Sequence, residues 1–324
     1  MQQPALAVEN LSLTIGGAID APRVVDGVSF AVAPGEVLAL VGESGCGKSL
    51  TARAVMRLLP EGVRQQTGRM TLAGADISAT SERDMRRLRG PGLAMIFQEP
   101  QAALDPLSTV GAQIAETLRR PLRAVRAEVR AMLQDVGISD PDRRIDQHPF
   151  ELSGGMCQRV MIATALIARP AVLLADEPTT ALDVTIQAQI LDLLRRLATS
   201  RGTAVVLITH DMGVVADIAD RVAVMYAGRI AETGPAADIF ARPRHPYTAL
   251  LLASIPRLSD VPKSLLAVIE GRVPTPAEFP PGCRFSGRCP LADARCAAEQ
   301  PPLTDIGDGH GTACWHADRV ASLA

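Results

Sequence analysis

The stretch Gly42–Ser49, GESGCGKS, is where residue types and spacing first specify a chemistry. It fits G-x-x-x-x-G-K-S in full. Gly42, Gly45 and Gly47 let backbone N–H groups turn inward around phosphate oxygens, and a helix starting at the end of the loop aims its positive pole at the same charge. Lys48 is placed to reach the β- and γ-phosphates of a nucleoside triphosphate, and Ser49 to hold Mg²⁺. Glu43, Ser44, Cys46 and Leu50 complete the candidate nucleotide contacts.

Further along, AVLLADEP ends a strand in two acids. Asp176 is placed to organise Mg²⁺, and Glu177 to polarise a water aimed at the γ-phosphorus. Phosphoryl transfer asks mainly for positioning, which a strand-end carboxylate supplies. Two acids after a strand also suit a solvated strand end; their pairing with a phosphate loop favours catalysis. His210 follows the strand in AVVLITHDM and is a candidate γ-phosphate contact, the ordinary alternative being an exposed histidine. Gln98 in MIFQEP ends another strand, where its amide would meet Mg²⁺ and the attacking water. Ser153, Gly154 and Gly155 open a long apolar helix and form a second anion cradle. One nucleotide rarely needs two cradles, so this one is expected to serve ATP bound to another subunit.

The elements that must hold these groups are legible as short apolar runs separated by helix-like segments. Val37–Val41, Leu93–Phe97, Ala171–Ala175 and Ala204–Thr209 read as buried strands. TIQAQILDLLRRLATSRG reads as a helix capped by Gly202. Strand–helix alternation predicts an α/β fold with a mostly parallel sheet. The opening ALAVENLSLTI and VVDGVSFAVAPGE predict an antiparallel piece before it. From Ser78 to Asp146 the pattern is helical and arginine-rich. With a net charge of -2, that stripe reads as a solvated face and not as a nucleic-acid surface. The chain of 324 residues suits one large domain with an extension, or two domains. It shows no secretory signal and no apolar run of about 18 residues, so cytoplasmic, reducing surroundings are expected.

With these residues in place, the sequence resembles the ATP-binding subunits of ABC transporters over roughly residues 5–255. GESGCGKS is similar to the Walker A loop, AVLLADEP to Walker B, LSGGM to the ABC signature, Gln98 to the Q-loop, Thr180–Asp183 to the D-loop and His210 to the H-loop. The resemblance implies a P-loop NTPase with a parallel sheet core, an antiparallel β subdomain and a helical subdomain at about 98–170. It implies head-to-tail dimerisation, with Ser153, Gly154 and Gly155 acting in trans. EPQAALDPLSTVGAQIAE, RPRHPYTALLLASIP and the cysteine-rich tail resemble the oligopeptide/dipeptide branch of ABC importers. That implies an extension over 256–324, a second ATP-binding subunit (a heterodimer), two permease subunits, an extracytoplasmic substrate-binding protein and a peripheral place on the cytoplasmic face of the inner membrane. A nickel complex, glutathione or an opine remain alternative cargoes, and a non-transport ABC ATPase an alternative class. The usual adenine-stacking aromatic is replaced by Ile15, leaving Val25 as a candidate. Cys46 and Cys157 stand where more polar residues are usual. At a helix start, Cys46 is expected to have a depressed pKa and to react readily.

Cys283, Cys289, Cys296 and Cys314 have five, six and seventeen residues between them. No pair has the two-to-four-residue spacing of zinc sites, and Pro290 follows Cys289. The pattern suits a [4Fe–4S] cluster, which the resembled branch carries in this extension. Zinc, recruiting His310 or His316, and free thiols are the alternatives. The tail holds no hydrolysis residue, so its role is expected to be structural or regulatory. Changing Cys289 is expected to leave nucleotide binding nearly intact.

Overall fold

The structure is a computed structural model that describes residues 3–16, 21–179, 182–255 and 268–323. The expected boundary at 255/256, and Thr180 and Ala181 of the D-loop, lie at or outside those limits. The described residues fall into two compact units.

One unit is built mainly from Thr71–Ile208. Its strands Leu93–Ile96, Val172–Asp176 and Ala204–Ile208 are parallel neighbours, in register Leu93↔Val172 and Val172↔Ala204. Every residue in them is buried, which is why they read as continuous apolar runs. The helix Val184–Arg201 starts on Asp183, whose side chain accepts from the Ile186 N–H, and stops at Gly202 with φ 69°. Helices Val110–Thr117, Leu122–Asp135 and Gly154–Leu166 pack on one another. The arginines of this region face acids on the surface: Arg126 pairs with Asp146 at 2.7 Å and Arg120 with Glu128 at 3.0 Å, all of them exposed. The stripe is the solvated face expected.

The other unit comprises Ala7–Phe30, Leu38–Met70 and Thr209–Ala324. Strand Leu6–Ile15 lies between Arg23–Val32 and Val63–Leu72 in the antiparallel subdomain. Residues 38–41 run parallel to Arg221–Tyr226, and that strand turns back antiparallel into Arg229–Pro235. Two tail strands then add on: Gly311–Thr312 pairs with Glu232 and Thr233, and Thr304–Asp305 pairs with Gly311–Thr312. The tail is thus part of the sheet. Helix Pro246–Ala253 is started by His245, whose Nδ1 accepts from the Tyr247 N–H at 3.1 Å, with Pro246 in its first turn. The core of this unit collects Val41, Val222, Val224, Tyr226, Tyr247 and Phe285. Phe285, between two of the tail cysteines, is 1% exposed.

Candidate functional site

The strand Val37–Val41 delivers the chain into a tight loop and then into helix Lys48–Val55. Gly42 and Gly47 take φ of 146° and 100°. A Cβ on Gly42 would meet the Met225 carbonyl oxygen at 2.2 Å, and one on Gly47 would meet Val25 Cγ2 at 2.9 Å. Only glycine fits at either position. Gly45 differs from these two. Its φ of 81° still favours glycine, but nothing lies within 4 Å of where its Cβ would be. The constraint at Gly45 is therefore the backbone angle alone and not a lack of room, and Gly45 stands with Ser44 on the exposed rim of the loop. Ser49 and Leu50, in the first turn of the helix, are half-buried. The Lys48 ammonium is folded over the loop, 2.8 Å from the Gly42 carbonyl and 3.0 Å from that of Glu43. It is thereby held against the backbone of its own loop. Val25 is fully buried beneath Gly47, so it buttresses the loop and offers no open face to adenine; Ile15 is half exposed.

Cys46 corrects the expectation of a reactive thiol. It is fully buried, and burial pushes its pKa up, opposed only in part by Lys48 at 3.6 Å. Its helix-start position does not compensate for lost solvation. Its carbonyl accepts the Gly228 N–H at 3.0 Å.

In the first unit, Asp176 ends its strand almost fully buried, and Glu177 follows with φ 48°. A non-glycine residue in that region is uncommon and marks a constrained turn. The Glu177 N–H donates to the Ile208 carbonyl at 2.9 Å, and its Oε2 accepts from Gln98 Nε2 at 3.2 Å. Gln98 and Glu177, 79 residues apart, are thus brought into direct contact. The buried Gln158 was not anticipated; its amide donates to the Pro178 carbonyl at 2.8 Å, tying the SGG helix to the ADEP turn. Ser153 caps that helix, its hydroxyl accepting from the Met156 N–H, and nothing lies within 4 Å of where a Gly154 Cβ would be. A Cβ on Gly155 would meet only Leu182 Cδ2, at 3.5 Å. Cys157 is buried and donates to the Pro149 carbonyl, and burial raises its pKa. In the second unit His210 is exposed, directly before Asp211, which caps the helix Met212–Ile218.

The four tail cysteines line one pocket together with Trp315 and His316. Each is raised in pKa by burial first, Cys289 to about 11 and Cys314 to about 12, and in three of them neighbouring cysteine thiols add to the shift. Backbone N–H groups point at the sulfurs: Phe285 and Ser286 at Cys283, Leu291 and Ala292 at Cys289, and His316 at Cys314, the last at 3.3 Å. Gly282 is required because a Cβ there would meet the Cys296 carbonyl oxygen at 2.4 Å. Asp293, Cys296 and His316 also place one ligand atom each within 4.8 Å of the others. His310 is corrected as a candidate ligand. It is buried with Nε2 2.7 Å from Glu232 Oε1, and it is absent from the pocket lining.

The residues least legible in the sequence are those that join this tail to the phosphate loop. Arg288 forms a two-pronged ion pair with Glu43, and Tyr247 accepts the Glu43 N–H at 2.8 Å. The tail therefore touches the loop directly. The only signals were Arg288 standing beside Cys289 and Tyr247 within HPYTALL.

The fold is the mixed-sheet P-loop fold of ABC ATPases. MJ0796, described as a bacterial ABC transporter cassette, matches with a TM-score of 0.65 at 25% identity, covering 71% of this chain and 98% of that one. The cbiO1 protein of Clostridium perfringens, part of the ABC transporter complex cbiONQ, matches with a TM-score of 0.62 at 28% identity, covering 74% of this chain and 92% of that one. The ABC transporter family matches residues 25–180, and the family described as oligopeptide/dipeptide transporter, C-terminal region, matches residues 231–296. The chain is 48% identical over 330 residues to the dipeptide transport ATP-binding protein DppD of Bacillus subtilis strain 168, covering 99% of this chain and 97% of that protein. It is 45% identical over 315 residues to the protein of the same name from Escherichia coli K12, covering 96% of each. The chain belongs to the ATP-binding proteins of ABC transporters that carry the oligopeptide/dipeptide C-terminal region. Among the described residues no helix is long and apolar enough to cross a membrane.

Proposed function

We propose that this chain is the ATP-hydrolysing subunit of a peptide importer, working on the cytoplasmic face of the inner membrane. In this reading it acts with a second ATP-binding subunit in a heterodimer, two permease subunits and an extracytoplasmic binding protein. The observation that carries the proposal is near end-to-end similarity to dipeptide transport ATP-binding proteins, which spans the phosphate loop and the cysteine-rich tail alike.

The roles follow from the chemistry of each group. Gly42–Ser49 and Leu50 cradle the phosphates, with Lys48 on the β- and γ-phosphates and Ser49 on Mg²⁺. Asp176 and Gln98 support the same ion. Glu177 orients the attacking water, and its hydrogen bond to Gln98 keeps the two groups poised together. His210 contacts the γ-phosphate. Ser153, Gly154 and Gly155 receive the γ-phosphate of ATP held by the partner ATPase. In the assembled transporter, ATP hydrolysis should rise when the loaded binding protein delivers a peptide. Glu177→Gln should bind MgATP but turn over about 10²- to 10⁴-fold more slowly. Turnover close to wild type in that variant would refute the role given to Glu177, and hydrolysis indifferent to peptide would refute the cargo.

We propose that the tail pocket, lined by Cys283, Cys289, Cys296 and Cys314, holds a [4Fe–4S] cluster. Four thiols surround one space, and N–H donors stand ready to stabilise thiolate charge. When bound, such a cluster would cross-link the four tail segments. The zinc alternative rests on the Asp293–Cys296–His316 group, which uses one of the four thiols.

A further inference from the structure

Arg288 lies outside the hydrolysis machinery, yet the fold uses all of its hydrogen-bonding capacity. Its side chain is 7% exposed. A guanidinium carries five N–H donors in a rigid fork. Here Nη1 donates to Glu43 Oε2 at 2.7 Å and to the Tyr226 hydroxyl at 3.3 Å. Nη2 donates to Glu43 Oε1 at 3.1 Å and to the Ile269 carbonyl at 3.1 Å. Nε donates to the Glu270 carbonyl at 2.8 Å. Five donors meet five acceptors, and two of those acceptors are the oxygens of one carboxylate, the strong two-pronged geometry.

That carboxylate belongs to the second residue of the phosphate loop. The rest of Glu43 is fixed as well, its N–H by the Tyr247 hydroxyl at 2.8 Å and its carbonyl by Lys48 Nζ at 3.0 Å. Tyr247 is fully buried, and burial first, then the Glu43 charge, raises its pKa, so it stays a neutral phenol. The tail makes a second approach to the loop. Arg284, next to Cys283, donates to the Ala227 carbonyl and to Asp26 Oδ2 at 2.6 Å. The neighbouring Gly228 N–H donates to the Cys46 carbonyl at 3.0 Å, and the Gly228 carbonyl accepts the Asp26 N–H at 2.8 Å. Arg288 therefore reaches the loop directly at Glu43, and Arg284 reaches Ala227 and Asp26, which flank the Gly228 that bonds Cys46.

We infer that Arg288 is a positioning residue for the phosphate loop: it fixes Glu43, and through Glu43 the backbone that receives the phosphates, so that the cysteine-bearing tail sets the affinity of the chain for MgATP. The inference rests on the reading of Gly42–Ser49 as the ATP cradle. Nothing in it requires the tail pocket to hold a particular metal.

The test uses the full-length chain, with MgATP binding measured by titration calorimetry and turnover measured in the assembled transporter. Arg288→Gln should weaken MgATP binding about tenfold, with turnover at saturating ATP changed less than about threefold, because all five Arg288 donors are taken by Glu43, Tyr226, Ile269 and Glu270 and none is left for the reacting groups. Arg288→Lys keeps the charge but not the fork, and should fall between wild type and Gln. Glu43→Gln attacks the same pair from the loop side and leaves the tail intact; it should weaken binding similarly. The double variant should be little worse than either single, since the residues act as one pair. Binding within twofold of wild type in folded Arg288→Gln would overturn the inference. So would independent, additive effects of the two substitutions, or a lowered Tm with unchanged affinity. A wild-type chain that fails to bind MgATP would overturn the reading of the loop as well.

Discussion

Replacing Asp26 by asparagine should remove a disproportionate share of the stability of the unit that holds the phosphate loop. The Asp26 carboxylate is 8% exposed and accepts from three arginines: Arg23 at 3.1 Å, Arg229 at 2.6 and 3.0 Å, and Arg284 at 2.6 Å. Asparagine removes the charge and turns an N–H₂ toward guanidinium donors. Breaking a buried ion pair from one side typically costs about 3–5 kcal/mol. Arg229 is 37% exposed and recovers some water, while Arg284, 11% exposed, does not, so the low end of that range, about 3 kcal/mol, is expected. At roughly 2–4 °C per kcal/mol for a unit of this size, Tm should fall by about 6–12 °C. Arg23→Ala provides the contrast. Arg23 touches the same carboxylate but is 55% exposed, so its loss should cost under about 1 kcal/mol. Burial works to raise the Asp26 pKa, but Arg229, Arg23 and Arg284 overcome it and leave it lowered. With the folded value below the unfolded value of about 3.9, this stabilisation is whole above that pH. It is lost as pH falls through the folded value, so the gap between wild type and Asp26→Asn should close under acid. Scanning calorimetry and urea titration at neutral pH and near pH 3 give the measurement. Equal losses from Asp26→Asn and Arg23→Ala, or a gap that widens in acid, would refute the reasoning.

Cys46, buried and raised in pKa, should react with a maleimide far more slowly than an exposed thiol in the folded chain; mass mapping that finds Cys46 labelled as fast as it is in urea would contradict this. Anaerobically purified protein should be brown, with broad absorbance near about 400 nm and about four iron and four sulfide per chain. Cys289→Ser should bleach it; stoichiometric zinc with no iron under iron-replete conditions would favour the Asp293–Cys296–His316 group.

Much of this was written in local pattern. GESGCGKS, ADEP and LSGG each need a fixed backbone shape, and such shapes demand specific residues at fixed offsets, as the Met225 carbonyl against Gly42 illustrates. Buried strands such as VLALV and AVVLI announce themselves because both faces are covered. What was not legible depends on partners distant in sequence. Arg288 and Glu43 are 245 residues apart, and neither letter differs from that of a surface charge. The helix-start rule misread Cys46 for a related reason: the cover that desolvates it is assembled by the tertiary fold, not by the loop's own sequence. His310 looked like a spare ligand because Glu232, its partner, sits 78 residues away.

The tail strands carry a consequence for how the chain is made. Strand Arg229–Pro235 has its outer edge closed by Gly311–Thr312, and its buried Glu232 accepts the N–H groups of Arg244 and His245 and faces the His310 ring. At synthesis rates of about 5–20 residues per second, that edge waits about 4–15 s for its partner to leave the ribosome. Until then an unpaired edge and an incompletely satisfied carboxylate stand open to chaperones and proteases. A chain broken off anywhere before residue 311 never closes that edge. Pairing of residues 311–312 with Glu232 and Thr233 thus delays closure of this edge until a segment far downstream has been made.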